Sequence, residues 1–166
     1  MSDLTTAAGD GNGRPGRGTL DELDGKIVAL LQRDGRMPYR EIGRQLGVSE
    51  GTVRHRANRM FSSGALTVVA IADPFRMGYR VLAFTLLKIA PEQQQHVIDT
   101  LCGWDEVTYV SSCTGRADIY AQLVCRDHAH LWELLYQRLP QIGGVVTSET
   151  FMELKMHKVS YVYPMS

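Results

Sequence analysis

One stretch of the sequence combines side chains that can form hydrogen bonds with the edges of DNA bases. Residues 49–60 read SEGTVRHRANRM. Arg54 can donate two hydrogen bonds to the O6 and N7 atoms of guanine, and Asn58 can pair with the edge of adenine. Arg59 and the earlier Arg40 are suited to phosphates, which attract cations whatever the base sequence. These residue types therefore predict contacts with double-stranded DNA.

The periodicity of the same stretch predicts which side chains face outward. Val53, Ala57 and Met60 recur at spacings of four and three, as on the buried face of a helix that Ser49 can cap and Gly64 can end. Successive helical residues are rotated by about 100°, so the polar side chains between them lie on the opposite face. The predicted DNA contacts are Arg40, Ser49, Glu50, Gly51, Thr52, Arg54, His55, Asn58 and Arg59.

Two shorter helices are predicted before this one. Apolar residues recur at spacings of three and four from Leu20 to Asp34, which indicates a first amphipathic helix. Pro38 suits the first turn of a second helix that reaches Leu46, and Gly47 ends it. Three short helices with a tight turn before the third are typical of a winged helix-turn-helix domain, whose third helix enters the major groove.

The charge of the chain is uneven although its total is zero. Eighteen basic side chains balance eighteen acidic ones, so the whole-chain charge favours neither nucleic acid nor membrane. A basic segment within a neutral chain is the electrostatic pattern expected of a DNA contact. Between residues 36 and 60 the net charge is +4, because only Glu41 and Glu50 oppose six arginines, namely Arg36, Arg40, Arg44, Arg54, Arg56 and Arg59.

One of these arginines is predicted to have a structural role. Arg56 lies only about 60° from Val53 around the helix axis, so its side chain leans toward the protein. We expect it to pair with Asp24 or Asp21 of the first helix.

The second half of the chain has a different pattern of predicted elements. Their order, β-α-β-β-α-β, predicts a ferredoxin-like antiparallel sheet with helices on one face. An uncovered sheet face favours dimerisation. The predicted strands are Arg80–Ala90, Val107–Cys113, Ile119–Cys125 and Val145–Met156, and the predicted helices are Glu92–Gly103 and His128–Leu139.

The sequence therefore predicts an α+β chain with an N-terminal helix-turn-helix domain and a C-terminal βαββαβ sensing and dimerisation domain. Residues 1–18 are rich in glycine and small polar residues, which indicates a flexible tail whose two arginines are either solvated or a basic arm on DNA. We expect the DNA-binding domain at 19–64, a hinge strand and linker at 65–79, and the C-terminal domain at 80–166.

The chain resembles the Lrp/AsnC family of feast/famine regulators from about Leu20 onward. The matching pieces are LDELDGKIVALLQRDGR, GVSEGTVRHRANRM and SSGALTVVAIADPFRMGY, with shorter matches in GRADIYAQL and TSETFMEL. The resemblance implies a domain that dimerises through its sheets, assembles into rings and binds amino acids between dimers. The sequence departs from the family at Gly43, where alanine is usual, and at Ala57 and Met60, which replace larger aliphatic residues. Gly43 is expected to weaken its helix.

A free amino acid needs donors for its carboxylate and an acceptor for its ammonium group. Gly115 permits close backbone approach and Asp118 can hold an ammonium, while Ser148 and Thr150 can complete the site from a neighbouring subunit. The alternative is that Gly115 turns the hairpin and Asp118 caps it.

Catalytic and metal-binding signals are lacking. The sequence has no P-loop, GxSxG or HExxH motif, its five histidines are scattered, and its three cysteines have no CxxC spacing. We therefore expect a regulator that is not an enzyme and has no cofactor or metal. No stretch reaches the roughly 20 apolar residues of a membrane span, so we expect a cytoplasmic protein.

Two other functions remain open at this point. Some siroheme decarboxylases resemble the same family in both domains and use the architecture as enzymes. An amino-acid sensing or assembly protein with a vestigial helix-turn-helix is the other alternative.

Overall fold

The computed structural model describes residues 20–160, which form two compact units. The first unit contains residues up to Ile71 together with residues 158–160, and the second contains Ala72–His157. The unit boundary therefore lies within the predicted hinge. The predicted tail at residues 1–18 lies outside the described residues.

Three helices build the first unit: α1 (Glu22–Arg33), α2 (Tyr39–Leu46) and α3 (Glu50–Ser62). The start of α1 is fixed by reciprocal hydrogen bonds between the side chains and backbone N–H groups of Asp21 and Asp24. At the start of α3, the Ser49 hydroxyl accepts a hydrogen bond of 3.0 Å from the Thr52 N–H group. These caps satisfy backbone donors that a helix end leaves free.

The core of the first unit joins all three helices. Ile27 of α1, Ile42 of α2 and Val53 of α3 are fully buried in one apolar cluster. Gly43 lies where α2 approaches the turn before α3, and a Cβ atom there would lie 2.7 Å from the carbonyl oxygen of Val48. The glycine that departs from the family pattern therefore permits close packing of the turn.

The predicted wing and hinge strand are not formed as strands. Within residues 20–71 the structure contains no strand, and residues 65–73 are irregular. Pro74–Met77 forms a short 3₁₀ helix, and the side chain of Asp73 caps its start. The apolar and β-branched composition predicted a strand, but a strand also requires a hydrogen-bonded neighbour. Apolar side chains in this segment, including Val68 and Ile71, are exposed.

The second unit contains four strands and two α-helices. Its elements in chain order are β1 (Val81–Ile89), α4 (Gln94–Cys102), β2 (Val107–Ser112), β3 (Ile119–Cys125), α5 (His128–Glu133) and β4 (Val145–Met152). The strands form an antiparallel sheet in the order β2-β3-β1-β4. This architecture confirms the predicted ferredoxin-like fold.

The two sheet faces differ in composition. On one face, alternate residues of the central strands such as Leu87 and Ile119 are buried against Val97 and Leu101 of α4. The opposite face carries stacked or edge-packed rings whose closest centroids are 5.4–5.8 Å apart. We call this surface the aromatic face, and it consists of Phe84, Tyr109, Tyr120 and Phe151.

Two predicted elements end earlier than expected. The helix predicted to reach Leu139 is regular only to Glu133 and continues as a π-helical turn over Leu134–Arg138. Pro140, which lacks an N–H donor, lies in the 3₁₀ turn that follows. The last strand ends at Met152, where its pairing with β1 stops at Ala83. No helix within residues 20–160 is long and apolar enough to span a bilayer.

Candidate nucleic-acid interface and effector region

Helix α3 divides its side chains as the sequence predicted. Val53, Ala57 and Met60 are at most 1% exposed, whereas Arg54 and Asn58 lie on the solvent side. The outer surface of α3 therefore presents a guanidinium and a carboxamide to whatever approaches it. Of the other predicted contacts, Arg40, Ser49, Glu50, Gly51, His55 and Arg59 are also exposed and Thr52 is half-buried.

Arg54 has two neighbours that restrict its position. Its Nη2 atom lies 2.5 Å from Oε1 of Glu50, one helical turn earlier. Its guanidinium carbon lies 5.7 Å from the ring centroid of Tyr39, at the start of α2. A cation over an aromatic ring and a carboxylate at i−4 both stabilise this side-chain position. Glu50 and Arg54 were predicted as separate contacts, although their i, i+4 spacing signals this pairing.

Arg56 pairs with both of the aspartates named for it, which confirms that prediction. Its Nη1 atom lies 2.5 Å from Asp21 Oδ2 and 2.9 Å from Asp24 Oδ1. The hydrogen bond from Arg56 is the main cause that lowers the pKa of Asp21, and the same contact raises the pKa of Arg56. Arg59, predicted to contact phosphate, donates to the other oxygen of Asp24. Half of the Arg59 side chain remains exposed.

The basic segment carries less free positive charge than its composition indicates. Arg44 forms a bidentate ion pair with Glu41. Its Nη2 atom lies 2.6 Å from Glu41 Oε1 and its Nε atom lies 2.9 Å from Glu41 Oε2. Hydrogen bonds from Arg44 and Gln45 lower the pKa of Glu41 to about 2. Among the described residues, Arg36 and Arg40 have no carboxylate within ion-pair distance, and the other four arginines of the segment are paired.

The predicted effector residue Asp118 already has partners within the chain. Its carboxylate accepts hydrogen bonds from Lys88 Nζ at 2.7 Å and from the Ile89 N–H group at 2.8 Å. Both hydrogen bonds lower the pKa of Asp118, and the one from Lys88 has the larger effect. Gly115 has a φ of 110°, a conformation that other residues rarely adopt. The loop between β2 and β3 thus combines a tight turn with an ionised carboxylate.

The two predicted effector residues of β4 face away from the Arg116–Glu149 ion pair. Arg116 Nη2 lies 2.9 Å from Glu149 Oε2 and joins the loop to β4. The Thr150 hydroxyl instead lies 3.0 Å from the hydroxyl of buried Thr85, and Ser148 shares that side of the strand because side chains alternate. Ser148 and Thr150 therefore lie on the side of β4 opposite to the one that Arg116 of the loop contacts.

Two observations concern the histidine, cysteine and carboxylate side chains of the described residues. Residues 20–160 contain no group of three histidine, cysteine or carboxylate side chains arranged to hold a metal. The three cysteines are free, and burial raises the pKa of Cys125 to about 11. A thiol with that pKa remains protonated at neutral pH and packs as an apolar group.

Family models match both units. An AsnC-type helix-turn-helix domain matches residues 20–60, and an Lrp/AsnC ligand-binding domain matches residues 82–163. The first covers the three helices, and the second covers the sheet with its two helices. A DNA-binding domain joined to a ligand-binding domain points to a regulator rather than an enzyme.

Relatives and solved structures agree with these matches. An uncharacterised HTH-type transcriptional regulator from Pyrococcus horikoshii is 35% identical over 143 residues, which are 86% of this chain and 90% of the relative. The structure of E. coli AsnC has a TM-score of 0.80 at 27% identity and covers 87% of this chain and 98% of its own. A Neisseria meningitidis regulator solved in complex with L-Met has a TM-score of 0.81 at 23% identity, covering 88% and 97%.

Proposed function

Because this chain belongs to the Lrp/AsnC family of DNA-binding transcriptional regulators, we propose that it binds pseudo-palindromic operators as a dimer and responds to an amino acid. Membership of the family establishes DNA binding and a domain for a small-molecule ligand. We propose in addition the operator geometry, the residues that contact DNA, the oligomeric state and the class of effector. A regulator of this kind works on chromosomal DNA, so we also propose a cytoplasmic location.

The proposed operator contact is carried by one observation: the outer face of α3 presents Arg54 and Asn58 while its inner face is buried. Arg54 donates to guanine and Asn58 pairs with adenine in the major groove. Residues at the start of α3 approach bases and phosphates, and Arg40 and Arg59 approach phosphates. The proposed contact set is therefore the predicted one: Arg40, Ser49, Glu50, Gly51, Thr52, Arg54, His55, Asn58 and Arg59.

The proposed dimer forms through the aromatic face. Its four rings belong to four neighbouring strands, and Tyr109 is 54% exposed. A second copy would remove this apolar surface from water, which favours association. Two copies of α3 would then require half-sites separated by about one helical turn of DNA or a multiple of it. Further assembly into tetramers or octamers would bring effector residues of different subunits together.

The proposed effector is a free amino acid bound between subunits. Asp118 would break its contact with Lys88 and bind the ammonium group of the ligand. The backbone at Gly115 would bind the carboxylate of the ligand. Ser148 and Thr150 face the other side of the sheet within one chain, which supports their contribution from a neighbouring subunit. The relative that was solved with L-Met supports an amino acid as the class of ligand.

Fluorescence anisotropy tests the operator proposal directly. Purified protein is titrated into its own upstream DNA and into a shuffled duplex, with Arg54→Ala and Arg126→Ala measured in parallel. We expect wild type and Arg126→Ala to prefer the upstream duplex, because Arg126 is an exposed arginine of the second unit. We expect Arg54→Ala to bind both duplexes alike. Equal binding of both duplexes by wild type, or an intact preference in Arg54→Ala, would contradict the proposal.

A further inference from the structure

Glu50 and Arg54 form an ion pair on the outer surface of α3, near the start of the helix. Their side chains are 43% and 59% exposed, and the 2.5 Å contact lies on the solvent side of the helix. Tyr39 supports the arginine from α2 at 5.7 Å. A ligand that approaches α3 therefore meets a carboxylate and a guanidinium together.

This pairing changes what Arg54 can bind. A DNA phosphate that approached Arg54 would also approach the carboxylate of Glu50, and two anions within a few ångströms repel each other. The phosphate must either displace Glu50 or bind elsewhere. The ion pair therefore makes Arg54 a poor contact for the DNA backbone.

A base pair can satisfy both members of the ion pair. In the major groove, guanine presents the acceptors O6 and N7, and the paired cytosine presents an N4 amino donor. Arg54 can donate to guanine while Glu50 accepts from cytosine. An A·T pair instead presents one acceptor, N7, and an amino donor on adenine, and one carbonyl acceptor beside a methyl group on thymine, so neither base offers Arg54 two adjacent acceptors. A G·C pair therefore fits the two side chains better.

We propose that Glu50 is a specificity-determining residue that holds Arg54 away from phosphates and directs the pair to a G·C base pair. This inference rests on the proposed function and identifies one element of the operator. Glu50 acts in two ways: it lowers affinity for DNA of arbitrary sequence, and it accepts a hydrogen bond from the cytosine amino group.

The chain offers a matched control in α2. Arg44 and Glu41 form a similar exposed pair at 2.6 Å, with side chains 73% and 37% exposed, but neither lies on α3. Replacing Glu41 with glutamine changes the net charge of the basic segment by the same amount as replacing Glu50. Any difference between the two variants then reflects position and not total charge.

The experiment compares wild type, Glu50→Gln and Glu41→Gln. Each protein first selects duplexes from a random library, and anisotropy then gives the Kd for the wild-type consensus and for a shuffled duplex. Circular dichroism checks that each variant is folded. We expect Glu50→Gln to bind the shuffled duplex several times more tightly and to lose about fivefold or more of the consensus-to-shuffled ratio. We also expect its selected sites to lose the preference at one G·C pair, and Glu41→Gln to keep it.

The outcomes separate this inference from the function on which it rests. If wild type selects no consensus, the operator proposal fails and the role of Glu50 fails with it. If wild type selects a consensus but Glu50→Gln selects the same one with an unchanged ratio, only the role of Glu50 is overturned. Equal tightening of shuffled DNA by both variants would show that charge alone is responsible and would also overturn it.

Discussion

Arg56 Nη1 lies 2.9 Å from Asp24 Oδ1, and this contact joins α3 to the first turn of α1. Asp24 is only 1% exposed, so its carboxylate depends on the side chains around it for the hydrogen bonds that water would otherwise supply. Arg56 donates to one of its oxygens, while the other accepts from Arg59 and from the Asp21 N–H group. The position of α3 therefore depends on one buried carboxylate.

Replacing Arg56 with alanine is expected to lower the melting temperature of the protein by several degrees. The substitution leaves one oxygen of Asp24 without its donor in a buried position, which costs free energy of folding. Arg54→Ala is the matched comparison, because its partner Glu50 is exposed and such pairs stabilise little. Thermal denaturation followed by circular dichroism measures both, and equal melting temperatures would refute the structural role of Arg56.

Gly43→Ala is expected to destabilise the first unit although alanine favours helices. The new Cβ would lie 2.7 Å from the carbonyl oxygen of Val48, and that turn must move to accommodate it. Gly51→Ala is the control, since its nearest neighbour would be Ser49 Oγ at 3.7 Å. There, alanine can stabilise α3 by up to about 1 kcal/mol. Urea denaturation should move the two midpoints in opposite directions, and a stabilised Gly43→Ala protein would contradict the packing argument.

Phe84→Asp is expected to prevent dimer formation. The Phe84 ring lies at the centre of the aromatic face, 5.4 Å from the Phe151 ring and 5.8 Å from the Tyr120 ring. A carboxylate there would have to be desolvated in a face-to-face dimer, at a large cost in free energy. Tyr136→Asp places the same charge on a residue that is 68% exposed outside the sheet. Sedimentation velocity should show a smaller species for Phe84→Asp alone, and unchanged assembly of both variants would count against this interface.

Asp118→Ala is expected to abolish the rise in melting temperature that an amino-acid effector produces. Without the carboxylate, the ligand ammonium group has no anionic partner in the loop. L-methionine is the first probe, followed by the other amino acids at the same concentration. Asp99→Ala is the control, because Asp99 is exposed on α4 and, among the described residues, its side chain accepts a hydrogen bond from Gln95 alone. An undiminished ligand shift in Asp118→Ala would leave the residue with its hairpin-capping role.

Helix α3 could be predicted because its sequence signals are local. The apolar residues Val53, Ala57 and Met60, the cap at Ser49 and the glycine after the helix all lie within one short stretch. The pairing of Arg56 also followed from the helical rotation. The sheet was predictable for a related reason, since strand order in this fold follows from the order of elements along the chain.

Features that depend on distant partners could not be predicted in the same way. The segment 65–73 has the composition of a strand, but the described chain supplies no strand to pair with it. The four effector residues are compatible in type, yet the pairing of Asp118 with Lys88 depends on how two distant segments of the chain pack together. The close approach at Gly43 depends on the position of a turn that no local pattern specifies.

The internal ion pairs of the basic segment also determine which counterions the protein can displace from DNA. Each phosphate neutralised by a free cation lowers the logarithm of the binding constant by about 0.9 per tenfold rise in salt. An arginine that keeps its own carboxylate partner releases such ions only in part. Of the two arginines proposed to approach phosphates, Arg40 is unpaired among the described residues and Arg59 is paired with Asp24, so each chain should contribute a slope nearer to about two than to about six. Operator binding would then tolerate changes in ionic strength better than the six arginines suggest.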